Sequence, residues 1–445
     1  MRKEDQIGRP TSDPSSAVKP TPIKQPRPKW HWVLLVAIVL LIIVVLVKRS
    51  DRQDNQIKPF GQQDSEAVKA GRLLSNNNCT GTGPGQLTKP AMNESDFTHI
   101  IPYGLMVGGH VTPIDHQYYS PASMQSPRDA YPVYAVGDAT LVYIEHRTNN
   151  PGDNQYLIEN ETNEYRLIFS QSCTFLYYYD LVTSLEPAIA EEFAKASRGR
   201  NTAPVSIPVV AGQQIGRIGG QTLDFAVWDT EKPLSGFARP EHYASEPWKI
   251  YTADPLNYMS EELKSLMLAR SPRTTEPISG KIDWDIKGKL RGTWFREGKD
   301  FSPENQNIQN FWESDLSFSP DLYDHSRFII SIGNFGSRGE RNSQSAQQFY
   351  AKGNIPDPAD VTVASGLVKY ELVDGEYMTG NTVWNRTSLA RNITIREASF
   401  GAFGSAIGTV LVQMLDDERI KFEVFRDKSP NQVEGFDGQA IIYTR

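Results

Sequence analysis

Cysteine is scarce: only Cys79 and Cys173 occur among 445 residues. Neither belongs to a Cys-x-x-Cys pair, which excludes a cysteine-rich zinc site. The sequence leaves their pairing open; a location outside the cytoplasm would permit it. Basic charge is short as well. Lys and Arg number 46 against 53 Asp and Glu, and nine of the basic side chains fall in the first 50 residues beside three acidic ones. The rest is therefore more acidic than the whole-chain charge of −7 implies. A body of that sign lacks the basic face that nucleic acid requires, which excludes nucleic acid as a partner. Long apolar runs are missing too, with one exception. Val33 through Val47 holds no polar side chain. At 1.5 Å rise per residue, Trp30 to Val47 reaches roughly 27 Å, about one hydrocarbon core.

That exception predicts a single transmembrane helix over residues 30–47. Trp30 and Trp32 suit the near interface, and Lys48 and Arg49 can snorkel at the far one. A cleaved signal peptide would have a shorter polar start and a small-x-small site after Val47. A buried core helix would show a polar face. The longer basic tail places the N-terminus in the cytoplasm and everything after Val47 outside. Residues 1–29, rich in Pro, Ser and Lys, are expected to form a disordered cytoplasmic tail. Residues 48–91 read as a stalk, with a short helix around Ser65 to Leu74. Sequons at Asn78, Asn93, Asn160, Asn385 and Asn392 matter only if the host glycosylates the outer face.

Beyond the stalk the pattern is mostly β. In a first domain, 92–230, β-branched and aromatic runs predict strands at 132–136, 139–144, 165–169 and 223–228. Val136-Gly137-Asp138 reads as a hairpin turn. Asp180 to Ala196 reads as helical. A connector, 231–276, carries a helix over 260–270: Ser260 is the N-cap, Glu261 and Glu262 complement the dipole, and Leu263, Leu266 and Met267 form the apolar stripe. Residues 277–445 form a second β domain, expected to be a sandwich or an open barrel. Its strands are expected at 280–286, 328–332, 366–372 and 440–443, with a hairpin of 409–415 and 419–425. Gly292-Thr293-Trp294 is similar to the Gly-x-Trp signature of lipocalins, but reads more simply as a core Trp near a strand start. The acidic residues Glu297, Asp300, Glu304, Asp315, Asp321 and Asp324, near Phe301, Trp312, Phe318 and Tyr323, read as a solvated loop. The run Gly333–Gly339 precedes no predicted helix and is no phosphate loop.

The first domain resembles the lysostaphin/LytM-type metallopeptidases (M23) from about Tyr103 to Asp229. The residues that carry the likeness are Gly109-His110, Asp115-His116, the run from Ala130 to Val142, Tyr178-Tyr179-Asp180-Leu181, Gly212-Gln213-Gln214-Ile215-Gly216, and Thr222-Leu223-Asp224-Phe225. The resemblance implies an antiparallel β fold. It also implies zinc ligands at His110, Asp115 and Asp224, and further catalytic positions at Asp180 and Thr222. His116 is a substitute ligand or base. The family has His where this chain has Asp180, Thr222 and Asp224. One His with two carboxylates makes a harder, more anionic site, better matched to calcium, magnesium or manganese than to zinc. It also leaves bound water less acidic. Thr222 cannot shuttle protons near neutral pH. The expectation is a catalytically degenerate domain, holding no cofactor or one divalent cation. The chain is then a membrane-anchored extracytoplasmic binding or scaffold protein that meets a cell-envelope glycan or protein. The alternatives are an atypical metal-dependent envelope hydrolase and a small-ligand carrier built on residues 277–445.

Overall fold

The computed structural model describes residues 64–148, 163–302, 311–336, 345–398 and 406–445. The tail 1–29, the apolar stretch 30–47, stalk residues 48–63, Asn160, Glu304 and the end of the Gly333–Gly339 run lie outside the described residues. Among the described residues no helix is long and apolar enough to cross a membrane.

Eleven strands build the first half: β1 (Phe97–Ile101), β2 (Gln117–Pro121), β3 (Tyr131–Tyr134), β4 (Ala139–Thr148), β5 (Asn163–Ser170), β6 (Phe175–Val182), β7 (Ser184–Leu185), β8 (Thr202–Val209), β9 (Gln214–Ile218), β10 (Leu223–Asp229) and β11 (Thr252–Ala253). Three helices accompany them: α1 (Glu66–Leu74), α2 (Pro187–Ser197) and α3 (Glu261–Ala269). The large antiparallel sheet has the order β1-β2-β10-β6-β5-β4-β8, with β11 beside β10, while β3, β9 and β7 form a small one. Successive strand residues point to opposite faces. Leu167, Phe169, Tyr177, Tyr179 and Phe225 thus meet the small sheet, α2 and α3 in one core. Ile168, Leu176, Tyr178, Ala226 and Trp228 face the other way, into a second cluster. With both faces covered, the strands read as nearly continuous apolar runs.

Two local readings need correction. The turn at 136–138 is no hairpin, because β3 pairs with β9 whereas β4 pairs with β5 and β8. The chain also stays in β6 through Val182, where Tyr177-Tyr178-Tyr179 favours strand. Helix α2 begins only at Pro187, whose fixed φ suits a first helical turn. Ser260 caps α3 as expected, accepting from Leu263 N, and Ser65 caps α1, accepting from Val68 N. Residues 64–91 are laced to the large sheet instead of standing free. Cys79 is disulfide-bonded to Cys173, and the fully buried Leu87 donates to Tyr258 O at 2.8 Å. Edge strand β8 exposes Pro204 and Pro208, which offer no N–H to an adding strand.

Ten strands follow: β12 (Gly292–Arg296), β13 (Asp315–Pro320), β14 (Phe328–Ile332), β15 (Gln347–Ala351), β16 (Leu367–Thr379), β17 (Thr382–Val383), β18 (Ile393–Ala398), β19 (Gly408–Met414), β20 (Arg419–Arg426) and β21 (Ile441–Thr444). The ladder β15-β14-β13-β12-β21-β20-β19-β16 closes through β15–β16 pairing. The second unit is therefore a closed eight-stranded barrel, not a sandwich or an open one. Trp294, Phe318, Phe328, Phe349, Tyr370, Phe422 and Tyr443 pack inside it, as expected of a barrel whose interior is just wide enough for side chains. Trp294 is a core residue: its Nε1 donates to Leu290 O at 2.8 Å and the Arg445 guanidinium lies 4.1 Å from its ring centre. The expected strand at 280–286 does not form. There Asp283 and Asp285 accept from Gly236 N, Ala238 N and Thr293 N at 2.7–2.8 Å, which ties the segment to loops instead of a ladder. Nor is the acidic run solvated throughout. Asp315 is buried against Lys299, and buried Asp321 accepts from the hydroxyls of Tyr350 and Tyr377 at 2.8 Å.

Residues 64–445 form one compact unit. The outer half of β16 pairs with β18 as an arm. Tyr377, Trp384 and Ile393 of this arm pack with Ile101 and Leu105 of the first half. Arg391 donates to Leu268 O and Ala269 O at 2.9 and 3.0 Å. Beneath the arm, His99 is fully buried, 5.7 Å from the Trp384 ring, and its Nε2 has no hydrogen-bond partner. Burial pushes its pKa down to about 4. The unfolded chain therefore binds this proton first as pH falls. Stability linked to His99 is present above about 6.5 and lost between there and about 4, by roughly 3 kcal/mol in all. We predict that His99→Gln flattens the acid limb of a urea-midpoint-versus-pH curve. An unchanged slope between pH 6.5 and 4 would contradict this.

Candidate functional site

Three strands place one row of polar side chains on the second face of the large sheet. Asp224 of β10 is directly opposite Tyr118 of β2 on one side and Asp180 of β6 on the other. Directly opposed residues of antiparallel strands share a face, and like charges so placed repel. Each carboxylate has its own cation. Asp180 takes Arg166 of β5 at 2.7 Å and also the Arg147 guanidinium of β4. Burial would raise its pKa, but the two arginines more than reverse this and bring it down to about 2. Asp224 takes His116, Nε2 to Oδ2 3.2 Å. Burial nonetheless raises the Asp224 pKa, only partly offset by His116.

His116 precedes β2 and stands between two carboxylates. Its Nε2 also lies 3.0 Å from the Tyr118 hydroxyl, and its Nδ1 is 3.8 Å from Asp115 Oδ1. Burial alone would lower its pKa; Asp224 and Asp115 outweigh that and raise it to about 9. At neutral pH the ring is an imidazolium. Asp115 is held well below the usual carboxylate range: burial opposes ionisation, but His116 and the buried Lys249 prevail. Lys249 in turn donates to Thr112 Oγ1 at 3.1 Å and pairs with Glu246 at 3.0 Å. Glu164 lies 3.6 Å from Arg147, and burial followed by Asp180 raises its pKa. Asp115 Oδ2, His116 Nδ1 and Asp224 Oδ1 are buried without a hydrogen-bond partner.

The structure thus brings Asp115, His116, Asp180 and Asp224 to one place. His110 is at the rim, exposed, with its ring centroid 6.4 Å from that of His116. It sits on a tight turn, Val107 and His110 exchanging backbone hydrogen bonds at 3.0 and 3.2 Å. The barrel wall holds that turn. Gln348 of β15 pairs its amide with the N and O of Gly108, both at 3.0 Å, and a Cβ on Gly109 would meet the Trp312 indole at 3.2 Å. Thr222 lies just ahead of β10, half-buried.

Sequence reasoning placed Tyr118 beside the groove and missed Arg147, Arg166, Glu164 and Lys249. One signal was present. Glu145-x-Arg147 and Glu164-x-Arg166 are mirrored charge pairs inside otherwise apolar strands, and Arg147 and Glu164 prove to be register partners.

The donor set does not fit a metal centre. Among the described residues no group of three His, Cys, Asp or Glu side chains is arranged to hold a metal ion. Asp180 is taken up by two guanidinium groups, and the space between Asp115 and Asp224 holds the His116 ring.

No family model matches this chain, and no curated protein matches it. Among solved structures it is similar to Helicobacter pylori Csd3, from the orthorhombic crystal, at 13% identity and a TM-score of 0.22. The likeness covers 43% of this chain and 42% of that one, so the chain spans about two fifths of its length. At that level it carries no argument.

Proposed function

We propose that residues 92–230 are a lysostaphin/LytM-like domain that binds and does not cut. In this reading the chain is a single-pass membrane protein, N-terminus cytoplasmic, whose extracytoplasmic body meets a cell-envelope glycan or protein. The observation that carries it is the charge arrangement at the groove. His116, as imidazolium, sits between Asp115 and Asp224. An imidazolium there supplies the positive charge that these carboxylates need, and it cannot accept a proton. Asp180, ionised and clamped by Arg147 and Arg166, is no general acid near neutral pH. The result is a charged, preorganised surface in which neither His116 nor Asp180 is free to activate water.

The test uses the full chain with purified, cross-linked peptidoglycan, with and without added zinc. We expect co-sedimentation with the wall and no release of soluble fragments. Released fragments, or a stoichiometric metal lost in Asp224→Ala, would overturn the proposal. The runner-up, a metal-dependent envelope hydrolase, would need the His116 ring to leave the space between Asp115 and Asp224 so that a cation could meet their unpartnered buried oxygens. Those two results are the ones it requires.

A further inference from the structure

A cleft of about 350 Å³ is lined by Tyr103, the turn 233–235, β11, Asp254 and the segment from Pro277 to Asp283. Its volume lies at the lower end of the range for small-ligand sites. Much of its wall is apolar: Tyr103, Leu234, Ala253 and Ile282, with Pro233 and Pro277. The wall is also fixed. The Tyr103 hydroxyl donates to Ala253 O at 3.1 Å, turning the polar end of that side chain away, and Leu234 N donates to Ile250 O at 2.7 Å.

One charge in this wall is left open. Asp254 accepts from Leu256 N at 2.9 Å and from Ser279 Oγ at 2.5 Å, both on Oδ1. Its Oδ2 accepts no hydrogen bond among the described residues. The neighbouring carboxylate, Asp283, is already satisfied by Gly236 N at 2.7 Å and by Lys281 at 2.5 Å. Lys281 is likewise engaged, its ammonium 5.5 Å from the Trp284 ring centre. So the cleft offers an apolar body site beside one carboxylate with an open oxygen, whose charge Lys264 offsets only from a distance and Glu276 reinforces. An anion would find only the Ser235 hydroxyl and the already engaged Lys281 beside the Asp254 carboxylate, and a neutral apolar molecule would leave the open Asp254 oxygen without a partner.

We propose that this cleft binds a small amphiphilic cation: one aromatic or short aliphatic group carrying a single ammonium, with the ammonium on Asp254. The site does not depend on the groove reading above. Ring and chain displace water from the Leu234 and Ile282 surfaces, and the ammonium makes a charge-assisted hydrogen bond in a partly desolvated setting.

Titration calorimetry of the full chain with benzylamine, and with benzyl alcohol as its neutral counterpart, tests this. We expect saturable benzylamine binding at least tenfold tighter than that of benzyl alcohol. Asp254→Asn keeps an acceptor for Leu256 N and Ser279 Oγ, so both local contacts survive, and should bring benzylamine down to the affinity of benzyl alcohol. Leu234→Trp fills the cleft and should abolish both. Equal affinities, an unaffected Asp254→Asn variant of unchanged melting temperature, or no saturable binding at all would each overturn the proposal.

Discussion

Arg147→Met should lower unfolding stability by about 3 kcal/mol. Asp180 is buried, and its charge is balanced by Arg147 and Arg166 together. Removing one partner of a buried ion pair leaves a charge that the surroundings cannot solvate, typically a loss of about 3–5 kcal/mol. The surviving Arg166 places the expectation at the low end. Glu164 also loses its 3.6 Å partner, and its raised pKa lets it neutralise by taking up a proton. Adding Asp180→Asn to Arg147→Met should restore part of the loss, because the amide carries no charge to bury. Urea midpoints of the wild type and both variants decide this. A single variant within about 0.5 kcal/mol of the wild type would mean that the arginines are no more than surface decoration. A double variant weaker than the single one would reject the charge account even if the single variant behaves as expected.

Replacing both Cys79 and Cys173 by Ser should lower stability by about 2–4 kcal/mol. The crosslink closes a loop of sequence separation 94, and the loop-entropy account gives a larger stabilisation for longer loops, up to about 5 kcal/mol. The effect should be partly local. Gly71 of α1 lies directly against the Cys173 backbone, and Cys173 N donates to Gly81 O at 3.0 Å, so the 64–91 segment is seated on the large sheet at the crosslink. Loss of the bond should raise amide exchange first in α1 and the 79–85 stretch. Melting scans of the double Ser variant, and of the wild type with reductant, measure the global part. Identical melting temperatures in all three samples would show that the segment is held by packing alone.

Much of the first half could be read locally because its strands carry their own signal. β-branched and aromatic runs mark β4, β5, β6 and β10 without reference to partners. The cap Ser260 is likewise a short-range feature. Pairing was another matter. The 136–138 turn looks like a hairpin because nothing local says that the two strands enter different sheets. Barrel closure rests on Phe295 and Arg296 meeting Thr444 and Tyr443, far apart in sequence, and on β15 meeting β16. A shared site for Asp115, Asp180 and Asp224, with His116 as a substitute, was implied by the family resemblance, but the arginines that disarm Asp180 were not. Their reach depends on irregular register: the β5–β6 ladder shifts between Tyr165 and Leu167, and β4–β5 shifts between Leu141 and Tyr143. A one-residue slip turns side chains to the opposite face. Buried Asp321 and Asp315 were misread for a related reason. Charge on a strand edge reads as solvated until its tyrosine or lysine partner arrives from elsewhere in the fold.

The turn that carries His110 is gripped by the barrel, through Gln348 on Gly108, Trp312 under Gly109, and Met106 among Ile329, Tyr350 and Val373. An excised first half would bare those apolar contacts to water and let the imidazole wander from its post. Fragments cut between the two halves should therefore be sticky and misshapen at the very rim where a ligand would dock. The barrel is a jig for its neighbour.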